Sequence, residues 1–521
     1  MTSAAAPVAL AQVSAGPALE GKSVRIQTNL RLRGTLTDNV FYSATNRATD
    51  FITEVTPGIT ASVNSARLKL NGTAALPAYV YLAGNADPRV SPTLNGNATL
   101  EAVENFFYVD ARANVSTIYV SPLGPTAGYA GSASNNLEYQ QTLAIAPYIK
   151  GQFAGEYSYL LRYETIWNDS TAPNGIRTTG TNARARVESP PRVVQWSVDG
   201  TQNQVRYPVG ADFENNILRA RLTWRPDQQV SLFGIGGYES FTTLAGTGTS
   251  STTSPTSSSA MSSSAVYGAG GTWNPTPRTS FNASWEERFY GPSYLASLNH
   301  RRSMSSWRLN YSRQSSFYPT EALRIGAGDI ASQLDTMFSQ TISDPFERQL
   351  AVQNLLSQLG SPTQVGNAQV FYAPRVTLVE RLEGTVGAIG RRNSVFLTLF
   401  ASSTESLFPI ANSLPLDIFS AFNQVRGRGF TVAGNHRLTP LTNLSLTYTL
   451  NRSQGVSATS GTTPTDSTNS TLFGSYNVTL GPKTTGTIGL RMSHFESSGG
   501  TLTTTTTIDE RAIIVGLDHR F

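Results

Sequence analysis

Along many short stretches of this chain, apolar side chains recur at every second position. No stretch holds the roughly 18 consecutive apolar residues that a membrane-crossing helix needs. In "VRIQTNLRLRGTL", Val24, Ile26, Thr28, Leu30 and Leu32 share one parity, and Arg25, Gln27, Asn29, Arg31 and Arg33 share the other. "ILRARLTW" sets Leu218, Ala220, Leu222 and Trp224 against Arg219, Arg221 and Thr223; "SWRLNYSR" sets Trp307, Leu309 and Tyr311 against Arg308, Asn310 and Ser312. The chain stops on "RAIIVGLDHRF", with Ile513, Val515, Leu517, His519 and Phe521 on one parity and Gly516, Asp518 and Arg520 on the other. A period of two puts the two sets on opposite faces of a strand.

The connections alternate too. Tight turns stand at 225–228, 274–278, 439–443 and 480–484, and long polar loops at 244–265, 402–425 and 453–470. Short turns at one end and long loops at the other are the pattern of an outer-membrane barrel, in which every backbone group is paired and only alternate residues need be apolar. The expected fold is therefore all-β, an antiparallel outer-membrane β-barrel of residues 24–521 in the cell outer membrane of a Gram-negative organism. Leu517, His519 and Phe521 mark its closing strand. In proteins of this class the terminal aromatic is read by the barrel assembly machinery. Twenty-one segments alternate, but bacterial barrels are normally even-numbered. Counting back from Phe521 places the conflict among the first four strands, between residues 24 and 120. The expectation is about 20 strands, within 18–22, a ring too wide for side chains to fill.

Composition agrees. The chain is 39% hydrophobic and 14% charged, both below the soluble average of about 45–50% and about 25%. It has no cysteine, which excludes disulfides and thiolate metal sites, and its four histidines are scattered. No metal or cofactor is expected. A net charge of +5 over 521 residues does not suggest nucleic acid as a partner. "AAAPVALAQ" has the small-x-small form of a cleavage site at Ala9-Leu10-Ala11, so residues 1–23 read as a residual signal peptide.

One segment, 315–371, breaks the alternation. Ile330, Leu334, Met337 and Phe338 fall at helical spacing. Asp344 suits an N-cap, Pro345 the first helical position and Glu347 a capping box. Val352, Leu355, Leu356 and Leu359 form an apolar stripe, and Gly360 suits a C-cap. The reading is a helical hairpin over 325–365 that serves as a plug or lid.

No catalytic motif emerges. "GIGG" (234–237) and "GAGG" (268–271) lack the Lys-Ser/Thr of a phosphate loop and fit glycine on a curved wall. No G-x-S-x-G or H-E-x-x-H occurs, and the chain is read as a non-enzyme. The arginines are more informative. If the leucines face lipid, then Arg31, Arg33, Arg184, Arg186, Arg219, Arg221 and Arg308 face the lumen, since an arginine at mid-membrane costs roughly 2–4 kcal/mol. A planar guanidinium matches carboxylate or sulfate. Either these residues pair with wall carboxylates such as Glu164, Glu188 and Asp518, or they favour polyanions in transit.

Four stretches resemble the outer-membrane proteins associated with PEP-CTERM/exosortase exopolysaccharide loci: "TLTDNVFYS" with "DFITEVTPGITASVNSARLKLNG", "ENFFYVDARANVS", "ERFYGPSYLASLNHRR" and "LDTMFSQTISDPFERQLAVQNLLSQLG". The resemblance implies a setting in export or surface attachment of exopolysaccharide. The expected function is an exopolysaccharide export channel with an Arg/polar lumen gated by the helical insertion. Its expected partners are outer-membrane lipid, polysaccharide and periplasmic export proteins. The alternatives are a non-transporting barrel that binds or anchors polysaccharide or envelope partners, and a general diffusion porin.

Overall fold

The computed structural model describes residues 23–170, 177–207, 211–245, 261–317, 323–325, 334, 338, 348–349, 351–352, 369–371, 375–407, 418–457, 464–499 and 502–521. Alternation becomes a wall. Twenty-two antiparallel strands pair in chain order, from β1 (Ser23–Thr37) to β22 (Leu502–Arg520). Between them run β2 (Asp50–Asn64), β3 (Leu68–Ala75), β4 (Thr93–Val103), β5 (Phe107–Tyr119), β6 (Leu137–Phe153), β7 (Tyr157–Ser170) and β8 (Thr178–Glu188). Next come β9 (Val194–Arg206), β10 (Ala211–Trp224), β11 (Val230–Ala245), β12 (Met261–Thr276), β13 (Thr279–Arg288), β14 (Gly291–Arg301) and β15 (Ser305–Ser316). The last are β16 (Thr377–Ile389), β17 (Asn393–Ser406), β18 (Gln424–Thr439), β19 (Thr442–Val456), β20 (Thr465–Gly481) and β21 (Thr484–Gly499). The ring closes where β22 pairs with β1, from Asn29↔Arg520 to Thr37↔Ala512. Beyond the ladder, the Phe521 amide donates to the Thr28 carbonyl at 3.0 Å. Closure leaves no open edge.

The count is 22, above the expected 20 and at the upper end of 18–22, and the extra strand sits in the N-terminal part. Five strands, not four, lie between Ser23 and Tyr119. Two of them are interrupted by proline. Ala78–Tyr81 continues β3 and Arg89–Val90 leads into β4 without a change of register: Gly58↔Ala75 is followed by Val55↔Ala78, and Ala75↔Thr93 by Ala78↔Val90. Pro77 and Pro92 occupy the gaps. Proline has no amide hydrogen, so it interrupts a ladder without ending the strand.

Both ends of the ring lie with the short turns, among them 65–67, 104–106, 390–392 and 482–483. In barrels of this kind that end is periplasmic. The opposite end carries 38–49, 120–136, 407–423 and the insertion between β15 and β16, two strands that pair directly with each other. Outward positions form an apolar belt that includes Ile26, Leu218, Leu222, Leu309, Leu490, Ile513 and Val515, all exposed. Near the periplasmic rim the belt turns aromatic, with Trp196, Trp224, Trp273, Trp307 and Phe521 exposed, as expected where a wall meets the headgroups. The protein is an outer-membrane β-barrel.

Glycine lets the wall curl on β12. A Cβ at Gly268 would stand 2.2 Å from the Trp285 carbonyl oxygen on β13, whereas one at Gly236 on β11 would meet nothing within 4 Å. Of the insertion, the described positions 334, 338, 348, 349, 351 and 352 are helical, with Leu334 and Val352 buried. Its base is a short ribbon, Leu323–Ile325 paired with Gln369–Phe371. Phe371 pairs in parallel with Tyr119 on β5, far around the ring from the β15–β16 seam where the insertion leaves the wall.

Candidate functional site

The seven arginines singled out by parity all sit on the face opposite the lipid belt, and each has a wall partner. Arg31 donates to Asp518 at 3.2 Å, Arg33 lies 3.7 Å from Glu54, Arg184 3.0 Å from Asp199, Arg186 2.7 Å from Glu188 and Arg219 3.1 Å from Glu286. The Arg221 guanidinium stacks over the Phe233 ring at 4.2 Å, and Arg308 Nε donates to Asn299 Oδ1 at 3.2 Å. Further pairs line the same wall: Arg112 with Glu164, one of the carboxylates expected there, Arg162 with Asp110 at 2.5 Å, Arg288 with Glu239 at 2.8 Å, and Arg381 with Glu383 at 2.8 Å. Several reach across intervening strands, one between Arg162 of β7 and Asp110 of β5 and two between Arg219 of β10 and Glu286 of β13. Side chains converge on a concave face, so such reach is geometrically easy. Partly exposed pairs are worth about 0–1 kcal/mol each. Their main effect is to neutralise one another, so the lumen wall presents paired charges and not a field of one sign.

The lumen is not empty. Segment 120–136, between β5 and β6, is folded inward, with Leu123, Thr126, Ala127, Tyr129, Ser132, Ser134 and Asn136 buried. Asn136 fixes its shape by accepting from the Ser121 amide at 2.8 Å and donating to the Ser121 and Pro125 carbonyls at 2.9 and 3.1 Å. The segment then bonds to distant wall strands and to the 38–49 connection. Tyr81 Oη donates to Gly131 O at 2.9 Å, Asn469 Nδ2 on β20 to Thr126 O at 2.9 Å, and Ser132 Oγ to Val40 O at 3.1 Å. Arg89 donates to the carbonyls of Ala130 at 2.6 Å and Ser132 at 2.9 Å.

Tyr129 is the central anchor of this strap. Its hydroxyl donates to Glu54 Oε2 at 3.1 Å, its ring meets Tyr79 edge-on at 5.8 Å, and the Arg491 guanidinium lies 4.7 Å from its centroid. Burial, with Glu54 beside it, pushes the Tyr129 phenol well above its usual range, so it stays a donor. Burial next to Glu510 does the same to Tyr42.

The strands that carry the strap also lean into the mouth. Tyr119 and Leu137 pack with Phe400 of β17, Phe419 and Val425 of β18, nearly opposite in the ring. One residue earlier, Ile118 packs with Val205, Phe213, Phe241 and Val376 toward the other side. Successive residues on a strand point to opposite faces, so the inward-leaning end seals against both halves of the wall.

Of the residues read as plug or lid, Leu334 and Phe338 are described as helical; Ile330, Asp344, Pro345, Glu347, Leu355 and Leu359 lie outside the described residues. In the closing strand Leu517 and Phe521 face outward, and His519 Nδ1 bonds Thr484 Oγ1 at 2.8 Å. The sequence reading passed over the strap. A signal existed: "VSPLGPTAGYAGSASNN" carries no charged residue and is rich in Gly, Ala and Ser, whose small side chains suit close packing.

The wall, the belt and an internally crossed lumen define a large, occluded outer-membrane barrel. Solved structures to which the chain is similar include the FrpB iron transporter from Neisseria meningitidis, at 10% identity and TM-score 0.49, covering 95% of this chain and 81% of that one. The siderophore receptor PirA from Acinetobacter baumannii matches at 7% identity and TM-score 0.46, over 95% and 80%. The copper transporter OprC matches at 9% identity and TM-score 0.40, over 97% and 81%. No family model and no curated protein matches the chain.

Proposed function

We propose that this protein is a gated outer-membrane conduit, closed at rest by segment 120–136, and that it carries an exopolysaccharide. One observation supports gating above all. The strap is held by isolated hydrogen bonds and small apolar seats, while the wall behind it is a complete ladder. It can withdraw without breaking a strand pair. A general diffusion porin needs an open channel, which this filling disfavours. The cargo class rests on the resemblance to proteins of exopolysaccharide loci.

The test replaces residues 121–135 with a short Gly-Ser linker. The barrel still folds and shifts mobility on boiling, and its conductance in planar bilayers rises several-fold. Unchanged conductance in a folded barrel would favour the non-transporting anchor. Exopolysaccharide secretion that survives deletion of the gene would remove the cargo.

A further inference from the structure

The arginines of the lumen have wall partners, but a set of cations at the periplasmic rim does not. In the half of the ring from β12 to β22, the periplasmic turns 277–278, 302–304, 390–392, 440–441 and 482–483 hold no carboxylate. Arg278, Arg301 and Arg302 form one cluster there, and Arg391, Arg392 and Arg437 a second, with Lys483 beyond it. All are exposed except Arg301, which is half-buried. Their side chains make no ion pair, hydrogen bond or ring contact among the described residues. Backbone bonds crowd the like charges together. The Arg301 amide donates to the Arg278 carbonyl at 2.9 Å, and the Arg437 amide to the Arg392 carbonyl at 2.7 Å. Neighbouring like charges repel, so each cluster favours an anion beside it. The other half of the rim differs: its turns carry Glu104, Glu156 and Asp227, and Glu156 pairs with Arg192.

We propose that this half of the rim gathers phospholipids of net negative charge from the periplasmic leaflet, each cluster holding a headgroup phosphate. A guanidinium donates in a fork that matches phosphate oxygens. A zwitterionic headgroup brings its own cation, so a surplus of rim charge selects lipids that lack one. Apolar side chains stand among the cations and point to the same partner. Met304, Leu438, Leu441 and Leu480 are exposed in or beside these turns, just below Trp273 and Trp307 of the aromatic belt. In water such side chains gain nothing. At the edge of an acyl layer they leave water, while a cation on a long stem keeps its charge among the headgroups. Extent decides against a soluble acidic partner. A compact protein covers a turn or two, whereas a leaflet around the wall meets all five turns at once.

The experiment folds the full-length protein into phosphatidylcholine vesicles. Part of the lipid is replaced by brominated phosphatidylglycerol or, in parallel, by brominated phosphatidylcholine. Quenching of tryptophan fluorescence then gives the relative affinity of each lipid for the wall. The parent prefers the anionic lipid by about fivefold or more at low salt, and high salt removes the preference by screening. Arg391→Gln with Arg392→Gln weakens the preference, and adding Arg278→Gln, Arg301→Gln and Arg302→Gln abolishes it. The matching lysine variants restore it, all remaining heat-modifiable. Arg192→Gln with Arg225→Gln removes the same net charge from turns where Arg192 pairs with Glu156 and Arg225 donates to Gln195, and leaves the preference in place. Should the five-residue variant not fold, the two-residue variants decide alone. Equal quenching by the two lipids in the parent, or equal losses in the two-residue variants, overturns the proposal. So does a parent that shows no lipid preference but retains poly-glutamate on its vesicles, which would assign the rim to a soluble acidic partner.

Discussion

Arg491 on β21 and Glu510 on β22 form a forked ion pair, Nη2 to Oε1 at 2.7 Å and Nε to Oε2 at 3.3 Å, with side chains only 1% and 4% exposed. Thr37 on β1 donates to the same carboxylate at 2.8 Å, and the Tyr129 ring of the strap sits against the guanidinium. The pair thus ties the closing seam of the barrel to its internal strap. A buried pair of this kind has its value in being complete, since removing one partner strands the other charge.

Arg491→Met is therefore expected to destabilise the folded barrel by about 3–5 kcal/mol, and Arg491→Met with Glu510→Leu to recover most of that loss. Urea unfolding in detergent, followed by the heat-modifiable band, measures both. Equal and small losses in the single and double variants would show that water reaches the pair.

Tyr129→Phe keeps the ring and removes the donor to Glu54. A hydrogen bond to a charged group is worth about 1.5–3 kcal/mol, so the open fraction of the strap rises by roughly tenfold or more. Single-channel recording should find frequent openings in this variant and rare ones in the parent. Matching opening rates in the two would mean that Tyr129 does not hold the gate.

Arg219→Gln together with Glu286→Gln removes a pair without net change of luminal charge. In the strap-deleted barrel its reversal potential across a salt gradient stays at the parent value, while Arg219→Gln alone shifts selectivity toward cations. A loss of anion preference in the paired variant would instead mean that Arg219 serves passing anions.

Gly268→Ala forces a Cβ toward the Trp285 carbonyl, and overpacking of this sort costs about 1–3 kcal/mol. Gly236→Ala enters open space and leaves stability near that of the parent. Comparative unfolding of the two variants tests whether close strand approach at Gly268 is required; equal stabilities would reject it.

The wall was legible in the sequence because its rule is local. Leu30 and Arg31 must point to opposite faces wherever the strand lies, and a water-free exterior decides which face each takes. The strand count was less legible, since Pro77 and Pro92 cut the alternation of two strands whose register nonetheless continues. The expected plug falls on the amphipathic insertion, because amphipathicity is a visible period. Segment 120–136 has no period, so its burial left only a compositional trace, its lack of charge.

Alternation and loop asymmetry determined by themselves that this chain forms a lipid-facing barrel with arginines inside. Side-chain period two is a property of each strand alone. Which arginine meets which carboxylate, as Arg219 meets Glu286 across intervening strands, and which loop crosses the lumen were decided only in three dimensions. Those contacts join residues far apart in the chain, such as Tyr129 and Glu54 or Thr126 and Asn469. Ring closure and wall curvature, which no local pattern encodes, bring them within a hydrogen bond of each other.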